Sequence, residues 1–103
     1  MIAPLQGEIW WAEAEDKRRP VLVVTRSEVI PVLTAIVVAP ISRTIRAIPT
    51  EIPLSIKEGV EVECVATFDN IQRIHRSFLT SKIGDLGLRH NEICLALKAL
   101  SNC

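Results

Sequence analysis

Arg19-Pro20-Val21 sets a permanently charged guanidinium at the mouth of the apolar run Val21-Leu22-Val23-Val24. Ser42-Arg43-Thr44 closes a second apolar run, Thr34 to Ile41. A cation and a hydroxyl at the ends of two apolar strands are the makings of a phosphate site. Arginine offers paired planar donors to phosphate oxygens, and serine adds one more. Such a set suits RNA cleavage by the ribose 2′-hydroxyl, because the substrate brings its own nucleophile and needs no metal to generate one. The protein must then hold the 2′-oxygen in line, stabilise the phosphorane and protonate the departing 5′-oxygen. Each residue also has a plainer reading, Arg19 as a strand-end partner of Glu13 or Asp16 and Ser42 as a turn former.

Other chemistries lack their residues. There is no Gly-rich phosphate loop, no Gly-x-Ser-x-Gly elbow and no closely spaced carboxylate pair in an apolar setting. Cys64, Cys94 and Cys103, with His75 and His90, match no zinc-ligand spacing. No metal or cofactor is therefore expected. Cys64 lies in an apolar alternation and Cys94 on a helix-like stretch, so both read as core thiols in a reducing cytoplasm. The N-terminus has no signal-peptide pattern, and no apolar run approaches the length that spans a bilayer.

The elements that must carry these residues fit one small domain, residues 1–103, with 49% hydrophobic content. So small a core favours burial of a further face in a homodimer. Twelve basic and twelve acidic side chains cancel overall, but Lys17, Arg18, Arg19 and Arg26 cluster, as do the acids from Glu51 to Asp69. A neutral total can conceal a local basic groove, or simply a mixed solvated surface. Glu8–Glu13 reads as a first strand and Ala14–Arg18 as its connection. Val21–Val24, without alternation, reads as a central strand buried on both faces. Leu33–Ile41, Thr50–Leu54, the alternating Val60–Phe68, Ile71–His75 and Thr80–Leu86 complete the strands. Leu88–Ser101 has helical spacing of its leucines and Ile93. Many short strands and one terminal helix imply a mainly β fold, a strongly bent sheet or barrel with the helix packed on one side.

The order Gly7-Glu-Ile-Trp-Trp, Arg19-Pro-Val-Leu-Val-Val, Thr34-Ala-Ile-Val-Val-Ala-Pro-Ile-Ser42, Thr50-Glu-Ile-Pro-Leu54 and Cys64 to Ile74 resembles the MazF/PemK family of toxins from bacterial type II toxin–antitoxin pairs. The resemblance spans nearly the whole chain. It implies a small SH3-like barrel, a homodimer and metal-independent, sequence-specific cleavage of single-stranded RNA, leaving a 2′,3′-cyclic phosphate and a 5′-hydroxyl. It also implies a cognate antitoxin whose acidic, disordered tail occludes the RNA groove. Arg19 matches the family's catalytic arginine before proline, and Ser42 its catalytic Thr/Ser after the third strand. One departure stands out: only Ala14 to Arg18 separates Glu13 from Arg19, where many members carry a long glycine-containing loop. The shorter flap leaves the groove more open, and only Glu13, Glu15 and Asp16 remain as candidates for an acidic helper.

Base and backbone recognition then falls to Arg18, Arg43, Thr44 and Arg46, and to Asn70, Gln72 and Arg73 near the later strand. His75 is open to an acid–base or a structural role. With aromatics at 4% and no tyrosine, Trp10, Trp11, Phe68 and Phe78 read as core rather than as stacking platforms. The rival is a non-enzymatic toxin of the CcdB type, a similar barrel that binds DNA gyrase and does not need both Arg19 and Ser42. A DNA-binding regulator is disfavoured by the absence of a helix-turn-helix pattern.

Overall fold

A computed structural model describes residues 3–102. Seven strands, β1 (Glu8–Ala14), β2 (Lys17–Val23), β3 (Ala35–Ser42), β4 (Glu51–Leu54), β5 (Cys64–Thr67), β6 (Gln72–His75) and β7 (Leu79–Asp85), precede one helix, α1 (Asn91–Ser101). The strands hydrogen-bond in the order β4-β5-β3-β2-β1-β7, with β6 also on β3. This is the mainly β, barrel-like architecture with a terminal helix that the strand pattern implies.

The run Val21 to Val24 is buried on both faces because its alternate residues enter two cores. Leu22 and Val24 join Ile9, Ala39, Phe68 and the helix residues Ile93 and Ala96. Val21 and Val23 join Trp10, Ile30, Ile36 and Val38 on the other side. Helix α1 docks through Ile93, Ala96 and Leu97, the i, i+3, i+4 stripe of an amphipathic helix. Truncating Ile93 to Ala would cost about 2–5 kcal/mol.

The two ends of the bent sheet are brought together by glycines. After β4, Ser55 caps the 3-10 turn Ile56–Glu58 in a capping box, and Gly59 ends it at φ 102°. There the chain meets β7 so closely that a Cβ on Gly84 would lie 1.8 Å from the Glu58 carbonyl oxygen. Arg89 adds a clamp, with Nη1 3.1 Å from Glu58, Nε 2.6 Å from Glu92 and Nη2 donating to the Pro53 carbonyl at 2.8 Å.

Several elements depart from expectation. The β1–β2 connection is not Ala14–Arg18: Ala14 already pairs with Lys17, leaving only Glu15 and Asp16 in the turn, with Glu15 at φ 57°. Val60–Glu63 is not strand, because β4 ends at Leu54 opposite Cys64 and leaves that alternation no partner. The helix begins at Asn91 rather than Leu88, since Gly87 at φ 58° breaks the chain before it; Leu88 is fully exposed. Cys64 is buried as expected, but Cys94 lies off the docking stripe and is exposed. Cys103 is outside the described residues. No helix among the described residues is long and apolar enough to cross a membrane.

Candidate active site

Arg19 is exposed on β2, next to Pro20. The β2–β3 ladder pairs Val23 with Val38, Leu22 with Ala39 and Val21 with Pro40, and stops there. Proline has no amide proton to continue a ladder, and prolines 20 and 40 flank this break. Arg19 and Ser42 each lie two positions past the last pair, Val21 and Pro40. Beyond it β3 goes on to pair with β5, Ile41 with Ala66 and Ser42 with Val65. The sequence therefore ends the β2–β3 pairing just short of the guanidinium and the hydroxyl.

Arg19 makes no hydrogen bond or ion pair among the described residues, so the expected alternative partners, Glu13 and Asp16, do not hold it. Glu13 instead lies 3.7 Å from Arg18 Nε and accepts a short hydrogen bond from the Thr80 hydroxyl. Ser42 is half-buried, and its Oγ accepts from the Thr44 amide at 3.0 Å. The turn-forming reading of Ser42 is thus realised, yet accepting leaves the O–H free to donate.

Beside these residues lies a cavity of about 400 Å3, walled by Trp11, Pro20, Ile41, Val60, Val62 and Ile83, with Ser42, Arg43 and Lys82 supplying donors. Arg19 flanks it through Pro20 without lining it. Alternation along the β1–β2 ribbon puts Trp11, Glu13, Arg18 and Pro20 on one face and Ala12, Arg19 and Val21 on the other. Arg43 is exposed and unpaired among the described residues. Its charge acts on Cys64: burial pushes that thiol up, and Arg43 only partly offsets the rise. Lys82 Nζ is held 3.0 Å from Glu8 and 3.7 Å from Asp85. Burial would raise the Glu8 carboxyl, but hydrogen bonds from the Trp10 indole, the Leu5 amide and Lys82 outweigh it and lower it overall. The Glu8 hydrogen bonds raise Lys82 in turn.

The remaining predicted contacts divide. Thr44 is exposed in the loop after β3, while Arg46 is engaged: Glu51 accepts from the Arg46 and Ala47 amides at 2.8 and 3.1 Å, and its other oxygen is 3.5 Å from the Arg46 guanidinium. Gln72 pairs with Val38 and Arg73 with Val37, on the edge of β3 opposite β2, and Asn70 lies in the turn just before them. All three are exposed but outside the cavity. His75 pairs with Ala35, at the far end of β3 and roughly 20 Å along the strand from Ser42. Its Nδ1 caps the following turn, 2.7 Å from Ser77 Oγ. Arg76, which donates to the Ile30 carbonyl at 2.8 Å, is structural.

Sequence reasoning missed Trp11 and Lys82. Adjacent tryptophans in a strand must face opposite sides, so the pair Trp10-Trp11 itself signalled that one ring would leave the core. Trp10 is buried, and Trp11 lines the cavity. Of the other two aromatics, Phe68 is core and Phe78 is exposed, its ring 5.9 Å from that of His75. Among the described residues no cluster of His, Cys, Asp and Glu could hold a metal ion.

The chain is similar to known proteins. The chain is 34% identical over 103 residues to the probable endoribonuclease MazF5 of Mycobacterium tuberculosis, covering 97% of this chain and 94% of that protein. The solved Mycobacterium tuberculosis toxin MazF-mt6 superposes with a TM-score of 0.79 at 37% identity, covering 92% and 93% of the two chains. A mycobacterial endoribonuclease solved in complex with its cognate antitoxin shares the fold, with a TM-score of 0.83 at 23% identity and 97% and 96% coverage. With residues 5–101 matching the pattern of the PemK-like, MazF-like toxins of type II toxin–antitoxin systems, the chain belongs to that family.

Proposed function

We propose that this protein is the toxin of a type II toxin–antitoxin pair, a cytoplasmic endoribonuclease that cuts single-stranded RNA at specific sequences without a metal ion. The 2′-hydroxyl attacks the adjacent phosphorus, the P–O5′ bond breaks, and the products carry a 2′,3′-cyclic phosphate and a 5′-hydroxyl. Arg19 contacts the scissile phosphate and hydrogen-bonds the leaving oxygen, which takes up, by way of solvent water, the proton that the 2′-hydroxyl gives up. The guanidinium keeps its own proton throughout, so neither a base nor a net acid role falls to it. Ser42 donates to the phosphorane oxygens. Arg43 adds local positive charge, with Arg18 and Thr44 along the RNA path. The working unit is a homodimer, and a cognate antitoxin with an acidic tail covers the groove.

The observation that carries this reading is the uncommitted Arg19 guanidinium, which, like Ser42, lies two positions past the last pair of the β2–β3 ladder. Electrostatic donors of this kind are effective when no internal partner has to be displaced first. The test is incubation of the purified protein with long RNA in chelator, followed by mapping of new 5′-hydroxyl ends. Sequence-specific cuts that vanish in Arg19→Ala and fall steeply in Ser42→Ala support it. Intact RNA alongside inhibited DNA supercoiling would replace it with gyrase binding.

A further inference from the structure

Trp11 has an unusual setting for an aromatic ring beside a nuclease site. The Arg18 guanidinium stacks over it, 4.2 Å from the ring centroid. Arg18 is itself held by Glu13, and Glu13 by Thr80 on β7, so three strands fix the ring before any ligand arrives. Trp11 lines the cavity, whereas Arg18 does not. The held ring is thus part of the cavity wall.

The hollow suits one occupant. Its volume, about 400 Å3, lies at the small end of the roughly 300–1,000 Å3 range of small-ligand pockets. Its apolar lining includes Pro20, Ile41, Val60 and Ile83 beside Trp11. Its polar lining combines the donors Arg43, Lys82 and Ser42 with one carboxylate, Glu61, a set that can meet the acceptors and amino groups of a planar heterocycle as well as its phosphodiester. Recognition of single-stranded RNA relies on splayed bases stacked on aromatic side chains or guanidinium planes, and here the two are already stacked together.

We infer that this cavity is a nucleobase subsite: one base of the single-stranded RNA stacks on Trp11, and its phosphate runs past Arg43 toward Ser42 and Arg19. The inference rests on the reading of the chain as an RNA-binding toxin. It assigns Trp11 a substrate-contacting role.

The probe is a fluorescent 2′-O-methyl oligonucleotide copied from an RNA that the wild-type protein binds; it has no 2′-hydroxyl to attack. Affinity is measured for wild type, Trp11→Ala, Trp11→Phe and Arg18→Gln, against the parent probe and a set with one abasic position each. Trp11→Ala should weaken binding about 5- to 100-fold, with Trp11→Phe retaining most of the affinity. One abasic position should cost the wild type a similar factor and cost Trp11→Ala nothing further. Should Trp11→Ala not fold, Arg18→Gln carries the test by shrinking the penalty at that same abasic position. Abasic penalties identical in all variants overturn the subsite, as does a Trp11 dependence confined to binding of an acidic antitoxin peptide. Cleavage of unmodified RNA is scored separately. Binding with the Trp11 signature but without cuts removes the nuclease reading alone, and cuts without the signature remove the subsite alone.

Discussion

Val21 and Pro40 are the last paired residues of the β2–β3 ladder, and Arg19 and Ser42 each lie two positions beyond them. Both residues therefore stand just past the point where the pairing of these two strands ends. Removing either donor should leave the fold intact and slow the chemical step. Arg19→Ala is expected to lower kcat about 10²- to 10³-fold, and Ser42→Ala about 10²-fold. Arg19→Lys should restore only part, because an ammonium lacks the planar fork. Single-turnover cleavage at saturating RNA reads these values, with circular dichroism as the folding control.

Arg43 and Arg46 sit three positions apart in one loop and should behave differently. Arg43 is uncommitted, so Arg43→Ala should weaken RNA binding and reduce the slope of log K against log salt by about one phosphate contact. Arg46 is bound to the buried Glu51, which also accepts two loop amides. Arg46→Ala should cost about 1 kcal/mol in urea denaturation, with a smaller effect on RNA affinity. Equal effects on binding would show that the Glu51 pair breaks when RNA arrives.

Gly84 closes the barrel by backbone contact, and a methyl there would strike the Glu58 carbonyl at 1.8 Å. Gly84→Ala should destabilise by about 3 kcal/mol or more and deform the cavity, whose wall includes Gly59 and Ile83. Gly87 is the control. A Cβ there meets only Asp85 Oδ1 at 3.7 Å, so Gly87→Ala carries just the strain of φ 58°, about 1 kcal/mol. Urea midpoints of the two variants test the contrast.

Glu8 links pH to stability. Its folded carboxyl lies below the ordinary value of 4.5, so the unfolded chain binds the proton more readily. The stabilisation is therefore complete above that value and fades as pH falls through the folded one. Glu8→Gln should cost about 1–2 kcal/mol at pH 7, through weaker bonds to Trp10, Leu5 and Lys82, and progressively less as the pH falls below 4.5. A loss that stays the same throughout the acid range would show that the charge contributes nothing.

What the sequence revealed depended on how local the cause was. The two-sided burial of Val21–Val24 follows from four consecutive apolar residues, and the break just before them from Pro20 and Pro40. Arg19 and Ser42 stood out because each sits at one end of such a run. Val60–Glu63 misled, because alternation states which faces a strand would have but not whether a neighbour is there to pair with it. Cys94 and Leu88 misled for a related reason: their exposure is set by where α1 starts and which stripe docks, both decided by Gly87 and the core. The cavity was invisible, since Trp11, Ser42, Val60 and Lys82 are brought together only when β7 closes against Gly59.

The turn between β1 and β2 consists of Glu15 and Asp16 alone. No stretch of this hairpin is long enough to swing across Arg19 and silence it. This hairpin therefore has no arm of its own with which to cover the guanidinium, and any cover has to reach it from outside the hairpin.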